Sequence, residues 1–280
     1  MDNDQPNIFK VAAIQMVSGA QLDTNLVAAA RLIDEAVHMG AELVLLPEYF
    51  GSLGAPLADR RAMREHDGDG PQQQFLSEMA QRHHLWLVGG CVPIIGDDPE
   101  RSRSASVVYH PNGKRVARYD KMHLFRFSYG DESYDEADLI EPGKPELVTF
   151  DAPCVRTALS ICYDIRFPEL YRAACADADN LALILLPAAF TFTTGRAHWE
   201  VLLRARAIEN QCYVLAAAQG GVHENKRQTF GCSMLVNPWG DIVAGLDEGE
   251  GVVCADIDLD FMTTIRAQMP ALEHRRIFCR

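Results

Sequence analysis

The stretch Ala41-Glu42-Leu43-Val44-Leu45-Leu46-Pro47 returns 140 residues later as Leu181-Ala182-Leu183-Ile184-Leu185-Leu186-Pro187. Each is an almost unbroken apolar run of strand length ending on proline, the pattern of a parallel strand covered on both faces. The elements around the two runs repeat in the same order. Ile8–Met16 reads as a strand, and Asn25–His38 as an amphipathic helix stopped by Gly40. A helix over Phe75–His83 runs into the strand Trp86–Gly89, just as a helix over Trp199–Glu209 runs into the strand Tyr213–Ala217. Pro111-Asn112-Gly113 joins Val107–Tyr109 to Arg115–Tyr119 in a hairpin, and Pro238-Trp239-Gly240 echoes that turn. Trp86 to Tyr213 and Pro111 to Pro238 are both offset by 127, so the first copy carries 13 extra residues (140 − 127) after Glu48. Two such units facing each other predict an α/β fold, a four-layer α-β-β-α sandwich with an internal pseudo-twofold repeat. One domain is expected over 1–280, with a core over about 8–260 and a C-terminal tail over about 261–280.

Composition narrows the function. The 26 Lys+Arg against 39 Asp+Glu give a net charge of −13, and the chain is 48% hydrophobic and 23% charged, as in soluble globular proteins. A chain of this length can bury roughly three quarters of its extended surface without staples. With no Lys/Arg cluster to neutralise phosphates, nucleic-acid binding is not expected. The longest apolar run, Leu181 to Phe190, is ten residues with a proline inside. That is about half of what a bilayer requires, so no membrane partner is expected. The acidic, polar start Met1–Pro6 does not read as a signal peptide. Eight scattered cysteines with no C-x-x-C pair then read as reduced thiols of a cytoplasmic protein.

The two copies differ where chemistry would sit. Pro47 is followed by Glu48-Tyr49-Phe50, whereas Pro187 is followed by Ala188-Ala189-Phe190. Only the first places a carboxylate at a strand C-terminus, where α/β sheets hold ligands. Taken alone, a glutamate there is more often a solvated loop residue. Val155–Ile161 reads as a strand, followed by Cys162-Tyr163-Asp164 and a helix over Pro168–Asp177. Cys162 is therefore expected on a strand-to-helix turn, which exposes a nucleophile, aims the next N–H groups at substrate and favours the thiolate through the helix N-terminus. Taken alone, a cysteine is more often a packing residue. Lys121 reads as an exposed lysine and Glu136 as part of a solvated acidic loop, and pattern singles out neither. No phosphate-cradling G-x-x-x-x-G-K-[ST] and no G-x-S-x-G is present. His83-His84 and His198-Trp199-Glu200 lack partners at ligand spacing, so no metal is expected, and Glu200 should face solvent or pair with Arg204.

Three ordered motifs nevertheless belong together: Leu45-Leu46-Pro47-Glu48, Tyr119-Asp120-Lys121-Met122-His123-Leu124-Phe125 and Ile161-Cys162-Tyr163-Asp164-Ile165-Arg166-Phe167-Pro168-Glu169. They resemble the Glu–Lys–Cys triad of the nitrilase superfamily of carbon–nitrogen hydrolases, over roughly Phe9 to Arg276. The segment from Thr194 to Asn210 and His274-Arg275-Arg276 resemble its amidase branch. Ala158 departs from the glycine common before the nucleophile. The resemblance implies the four-layer sandwich, Glu48 as general base, Lys121 as electrostatic stabiliser and Cys162 as nucleophile. It further implies Glu136 as a supporting second glutamate, Tyr163 as an oxyanion donor through its backbone N–H, and no metal or organic cofactor. True nitrilases usually carry tryptophan and glutamate after the cysteine, so Cys162-Tyr163-Asp164 implies an amide substrate. The expected reaction is hydrolysis of a small ω-amide through a thioester to a carboxylate and ammonia, with deaminated glutathione the leading substrate. The alternatives are α-ketoglutaramate or an N-carbamoyl amide as substrate, acyl transfer to an amine, and a non-catalytic scaffold. A substrate carboxylate requires a cation, for which Arg166, Arg126 and Arg196 are candidates. Tyr49, Phe190 and Thr191 are expected as pocket walls. Family members pair around the nucleophile turn, so a homodimer or higher homo-oligomer is expected, the tail Ile265–Arg280 reaching a neighbour.

Overall fold

The computed structural model describes residues 7–277 except 131, 153–154 and 178–180; the opening hexapeptide, Cys154, Cys279 and the end of the expected tail lie outside the described residues. The first copy runs β1 (Ile8–Gln15), α1 (Leu22–His38), β2 (Leu43–Leu45), α2 (Leu57–Ala62), α3 (Pro71–His83), β3 (Trp86–Ile95), β4 (Ser102–Tyr109) and β5 (Arg115–Asp120). A ribbon of β6 (Arg126–Tyr129) and β7 (Glu132–Asp135) leads to the second copy. That copy runs β8 (Thr149–Ala152), β9 (Val155–Leu159), α4 (Pro168–Asp177), β10 (Leu181–Ala188), α5 (Phe192–Asn210) and β11 (Tyr213–Ala218). A second ribbon, β12 (Gly220–Val222) with β13 (Gln228–Phe230), precedes β14 (Met234–Val236), β15 (Ile242–Gly245), β16 (Gly251–Asp258) and α6 (Leu259–Gln268).

The strand orders β16-β1-β2-β3-β4-β5 and β8-β9-β10-β11-β14-β15 are the same arrangement written twice. In each sheet the first pair is antiparallel, the next two parallel and the last two antiparallel. The expected sandwich and its repeat are therefore present. The apolar runs have the cause inferred for them. Val11, Ala13, Leu43 and Leu45 join Leu183 and Leu185 in one core. Their neighbours Ala12, Ile14, Val44 and Leu46 pack instead with Leu32 and Ile33 of α1 and Leu76 and Met79 of α3. Alternate residues of one strand thus serve two different layers. Each layer removes its side chains from water, at about 25 cal/mol per Å² of apolar surface.

Two boundaries differ from expectation by six residues or more. β3 continues past Gly89 to Ile95, because the register shift between Gly89 and Val92 lies within the strand and is not its end. α5 begins at Phe192, seven residues before the expected start, since the Thr191 side chain accepts a hydrogen bond from Thr194 N and caps it. The extra residues of the first copy form the loop after Glu48 together with α2. Among the described residues no helix is long and apolar enough to cross a membrane.

The sheets are laced together at one end by a parallel bridge between Met16 and Gln219. There β3 runs so close to the end of β2 that a Cβ on Gly90 would lie 2.2 Å from the Pro47 carbonyl oxygen and 2.3 Å from that of Leu46. Both obstacles are backbone and cannot rotate away. Gly90→Ala is expected to destabilise the protein by about 1–3 kcal/mol and to displace Glu48. A scanning-fluorimetry melt at the wild-type temperature would refute this close-approach argument.

Candidate active site

Glu48 leaves β2 immediately after Leu46-Pro47, and Tyr49 turns the chain with φ +58°. Gln219 fixes this corner from the other sheet: its Nε2 donates to the Glu48 carbonyl at 3.0 Å and to Ser18 Oγ at 2.8 Å. Lys121 follows the last residue of β5 and is fully buried, as is Glu48. Lys121 Nζ lies 2.8 Å from Glu48 Oε1 and 2.8 Å from Glu136 Oε2. Glu136 opens a single 3-10 turn, Glu136–Asp138, capped by Asp135. Its Oε1 also accepts from Tyr49 OH at 3.1 Å, and its Oε2 from Phe125 N at 2.8 Å. Two residues that pattern alone leaves on the surface therefore form the centre of a buried ion-pair cluster.

Cys162 opens a second 3-10 turn, Cys162–Arg166, between β9 and α4, and holds φ +46°. A non-glycine residue at positive φ is strained and persists only where its surroundings fix it. The fixing residue is Asp164. Its Oδ2 accepts from Ile161 N at 2.8 Å and from Tyr119 OH at 2.7 Å, while its Oδ1 lies 3.2 Å from His123 N and 2.7 Å from the His123 ring. The His123 ring in turn stacks on Phe167 at 3.7 Å between centroids. Asp164 thus clamps the Cys162 turn to the segment that carries Lys121. Arg206 holds the far side, donating from Nε to the Ile165 carbonyl at 2.9 Å. Sequence reading uses Asp164 only as part of a motif, because its partners at 119 and 123 become neighbours only on folding.

The Cys162 side chain lies in one pocket with Glu48 and Ala189, where the Glu48 carboxylate and the Ala189 backbone act on its thiol. Burial pushes the thiol well up and the Glu48 charge raises it further, outweighing Lys121. The expectation that a helix N-terminus favours the resting thiolate is corrected here. The helix proper starts only at Pro168, and desolvation beside a carboxylate dominates. Burial also raises the Glu48 carboxyl against the pull of Lys121, with the Glu136 charge adding to the rise. Lys121 goes the other way: burial lowers it, but Glu136 and Glu48 together lift it well above the ordinary ammonium range.

Phe190, Thr191, Tyr163 and Arg166 line the small pocket over Cys162, together with Phe125 and Arg227. The Arg166 guanidinium lies over the rings of Tyr163 and Phe190, 5.7 and 5.2 Å from their centroids. Tyr49 lines an adjoining cavity of about 290 Å³ that shares Phe125, Glu136 and Arg227 with the pocket. Two of the cation candidates do not reach either space. Arg126 has a side chain 84% exposed and pairs with Asp135, because β6 is a surface ribbon. Arg196 is exposed on the outer groove of α5. Arg227 enters instead, from the unpredicted β12–β13 ribbon. Glu200 pairs with Arg204 at 3.3 Å. Among the described residues no group of three His, Cys, Asp or Glu could hold a metal.

The sequence profile of the Carbon-nitrogen hydrolase family matches residues 10–267. The chain is 40% identical over 269 residues to the deaminated glutathione amidase of Yersinia enterocolitica, covering 95% of this chain and 92% of that protein. It superposes on the crystal structure of the Caenorhabditis elegans NitFhit protein with a TM-score of 0.87 and 38% identity, over 96% of this chain but only 65% of that longer one. It superposes on Saccharomyces cerevisiae Nit3, a member of branch 10 of the nitrilase superfamily, with a TM-score of 0.86 and 30% identity, over 96% and 97% of the two chains.

Asp164→Asn keeps the size of the clamp but replaces an acceptor oxygen by a donor facing donors. It is expected to cost about 3–5 kcal/mol of stability, as breaking a buried charged network does. The fall in melting temperature should be accompanied by lost activity at temperatures where the variant is still folded. A variant that melts lower yet turns over normally would show that the clamp does not position the turn.

Proposed function

This chain belongs to the carbon–nitrogen hydrolase family and is an amidase, and on that premise we propose that it cleaves a small ω-amide with Cys162 as nucleophile, Glu48 as general base and Lys121 as oxyanion stabiliser. The observation that carries this reading is the meeting of Glu48 and Lys121, from the ends of β2 and β5, beside a buried Cys162.

The thiol rests protonated, since burial and Glu48 disfavour its charge. As the sulfur attacks the amide carbonyl, its proton passes to the Glu48 carboxylate beside it. Negative charge moves to the carbonyl oxygen, where the Lys121 ammonium and the Tyr163 N–H receive it. Each such donor is worth about 3–4 kcal/mol in the transition state. Lys121, lifted by two carboxylates, keeps its proton throughout and serves as a fixed charge. Glu48 then gives its proton to the departing nitrogen, the C–N bond breaks and a thioester remains. Glu48 takes a proton from water as water adds to the thioester, and returns it to the sulfur as the acid leaves. Glu136 holds Lys121 in place from the other side.

For the substrate we favour deaminated glutathione, supported by the 40% identity to an amidase of that name. The expected release of ammonia is corrected for this substrate: its ω-amide nitrogen belongs to cysteinylglycine, so the dipeptide is the leaving group, and ammonia leaves only when the ω-amide is primary, as in α-ketoglutaramate. We assign the enzyme to the cytoplasm as a homodimer or larger homo-oligomer. The free thiols and the exposed apolar side chains of Val201, Ile208 and Ile242 along one groove support this assignment.

Mass spectrometry is expected to detect cysteinylglycine released from deaminated glutathione by the wild type and none released by Cys162→Ala. Release by the alanine variant would exclude the thioester route. In the pH profile of kcat/KM, activity should fall as acid protonates Glu48, with the limb above the usual carboxylate range because its pKa is raised. Glu136→Gln removes one charge that raises Glu48 and is expected to move that limb to lower pH while reducing kcat. A limb that stays put or moves upward would argue against Glu48 as the base.

A further inference from the structure

The cavity and the pocket over Cys162 are both bordered by Arg227, whose pairing is incomplete. Its Nη2 donates to the Ala189 carbonyl at 3.2 Å, and Ala189 lines the pocket over Cys162 with its backbone acting on the thiol. One residue therefore separates the guanidinium from the nucleophile. The guanidinium lies over the Tyr134 ring at 5.1 Å, which covers one face, and Nη2 is engaged with Ala189. Its Nε is buried without a hydrogen-bond partner, and among the described residues no carboxylate lies within ion-pair distance of it. A buried, unpartnered charged donor costs free energy that folded proteins rarely leave uncompensated.

Charge balance points the same way. The pocket gathers the carboxylates of Glu48 and Glu136 against the cations Lys121, Arg166 and Arg227, with the thiol neutral. One negative charge is missing. Arg166 is the weaker candidate to receive it, since Tyr163 and Phe190 flank its guanidinium and its Nη1 is within 3.2 Å of His198 Nδ1. The unpartnered Nε–H of Arg227 stands beside Nη2, which carries a second N–H besides the one given to Ala189, the fork that matches the two oxygens of a carboxylate.

We propose that Arg227 binds the carboxylate at the far end of the substrate's acyl chain and so selects ω-amides of dicarboxylic acids. The proposal rests on the amidase reading above and names what that site recognises. The acyl carbon sits at the sulfur, the chain crosses the pocket over Phe190, and its terminal carboxylate meets the Arg227 fork. A neutral amide of equal length leaves Nε–H unpaired and binds more weakly.

The test uses a ligand that is not turned over. Cys162 is alkylated with iodoacetamide, peptide mapping follows that site alone, and 2-oxoglutarate is added as protecting dicarboxylate. Protection is expected in the wild type. In Arg227→Met the half-protecting concentration should rise about 10–150-fold, the value of one charged hydrogen-bonding contact. Arg227→Lys keeps the charge without the fork and should fall between the two, and the alkylation rate without ligand reports whether each pocket is intact. An unprotected wild type, an unchanged half-protecting concentration in Arg227→Met, or loss of protection only in Arg166→Met would overturn the assignment. Protection through Arg227 without cleavage of deaminated glutathione would instead sink the substrate reading and leave the carboxylate site standing.

Discussion

A fully buried ammonium is the constraint around which the site is built. Removing Lys121 from water would cost many kcal/mol if it stood alone, and only close, opposite charge offsets that cost. Glu48 and Glu136 supply it from opposite sides, each at 2.8 Å. This cluster ties three separate pieces of chain together: the end of β2, the exit of β5 and the turn after β7. Tyr49 OH and Phe125 N complete the bonds of Glu136, so the cluster is a network and not an isolated pair. Such a network sets the electrostatics of anything beside it. Cys162 is the group beside it, and burial together with the Glu48 charge disfavours its thiolate.

Geometry at Cys162 is maintained by different means. Positive φ at Cys162 is a local cost, and Asp164 offsets it with an accepted bond from Ile161 directly across the turn. The same carboxylate reaches Tyr119 and His123, two residues before and after Lys121. The strained turn and the ammonium therefore cannot drift apart without breaking a buried charged acceptor. Tyr49, also at positive φ, is anchored comparably through its OH to Glu136 and its N–H to Cys91 Sγ at 3.1 Å. Both sharp corners adjoin the reacting groups, which is where stored backbone strain is most often useful.

What could be read from the residues follows the range of the interactions. The repeat is visible because apolar runs such as Leu43–Leu45 and Leu183–Leu185 encode burial on both faces locally. Glu48 is visible as the point where two otherwise similar strand ends diverge. Lys121 and Glu136 become legible only through resemblance, since a lysine after a hairpin and a glutamate among acids carry no local sign of burial. Asp164 and Arg227 stay hidden for the same reason in stronger form. Asp164 meets partners more than forty residues away, and Arg227 meets Ala189 across 38. Gly89-Gly90 misleads for another reason: glycines that usually punctuate a strand here let β3 pass beneath the end of β2.

The duplication explains the division of labour. Two equivalent sheets place equivalent strand ends at one seam, and the copies then diverge: β2 ends in a carboxylate, whereas β10 ends in Ala188-Ala189, whose small side chains leave the Ala189 backbone to act on the thiol and to accept from Arg227. Two further residues bordering the pocket over Cys162 come from neither repeat. Glu136 follows the β6–β7 ribbon and Arg227 lies between β12 and β13, both additions to the duplicated frame. Each ribbon is secured to the start of α5, β7 through Glu132 and Thr193 Oγ1 at 2.7 Å, β13 through a bridge between Thr229 and Thr191. A frame fixed by burial on both faces can thus keep Cys162 and Glu48 in place while the ribbons on its rim vary, because the ribbons contribute few side chains to the core that holds the frame together.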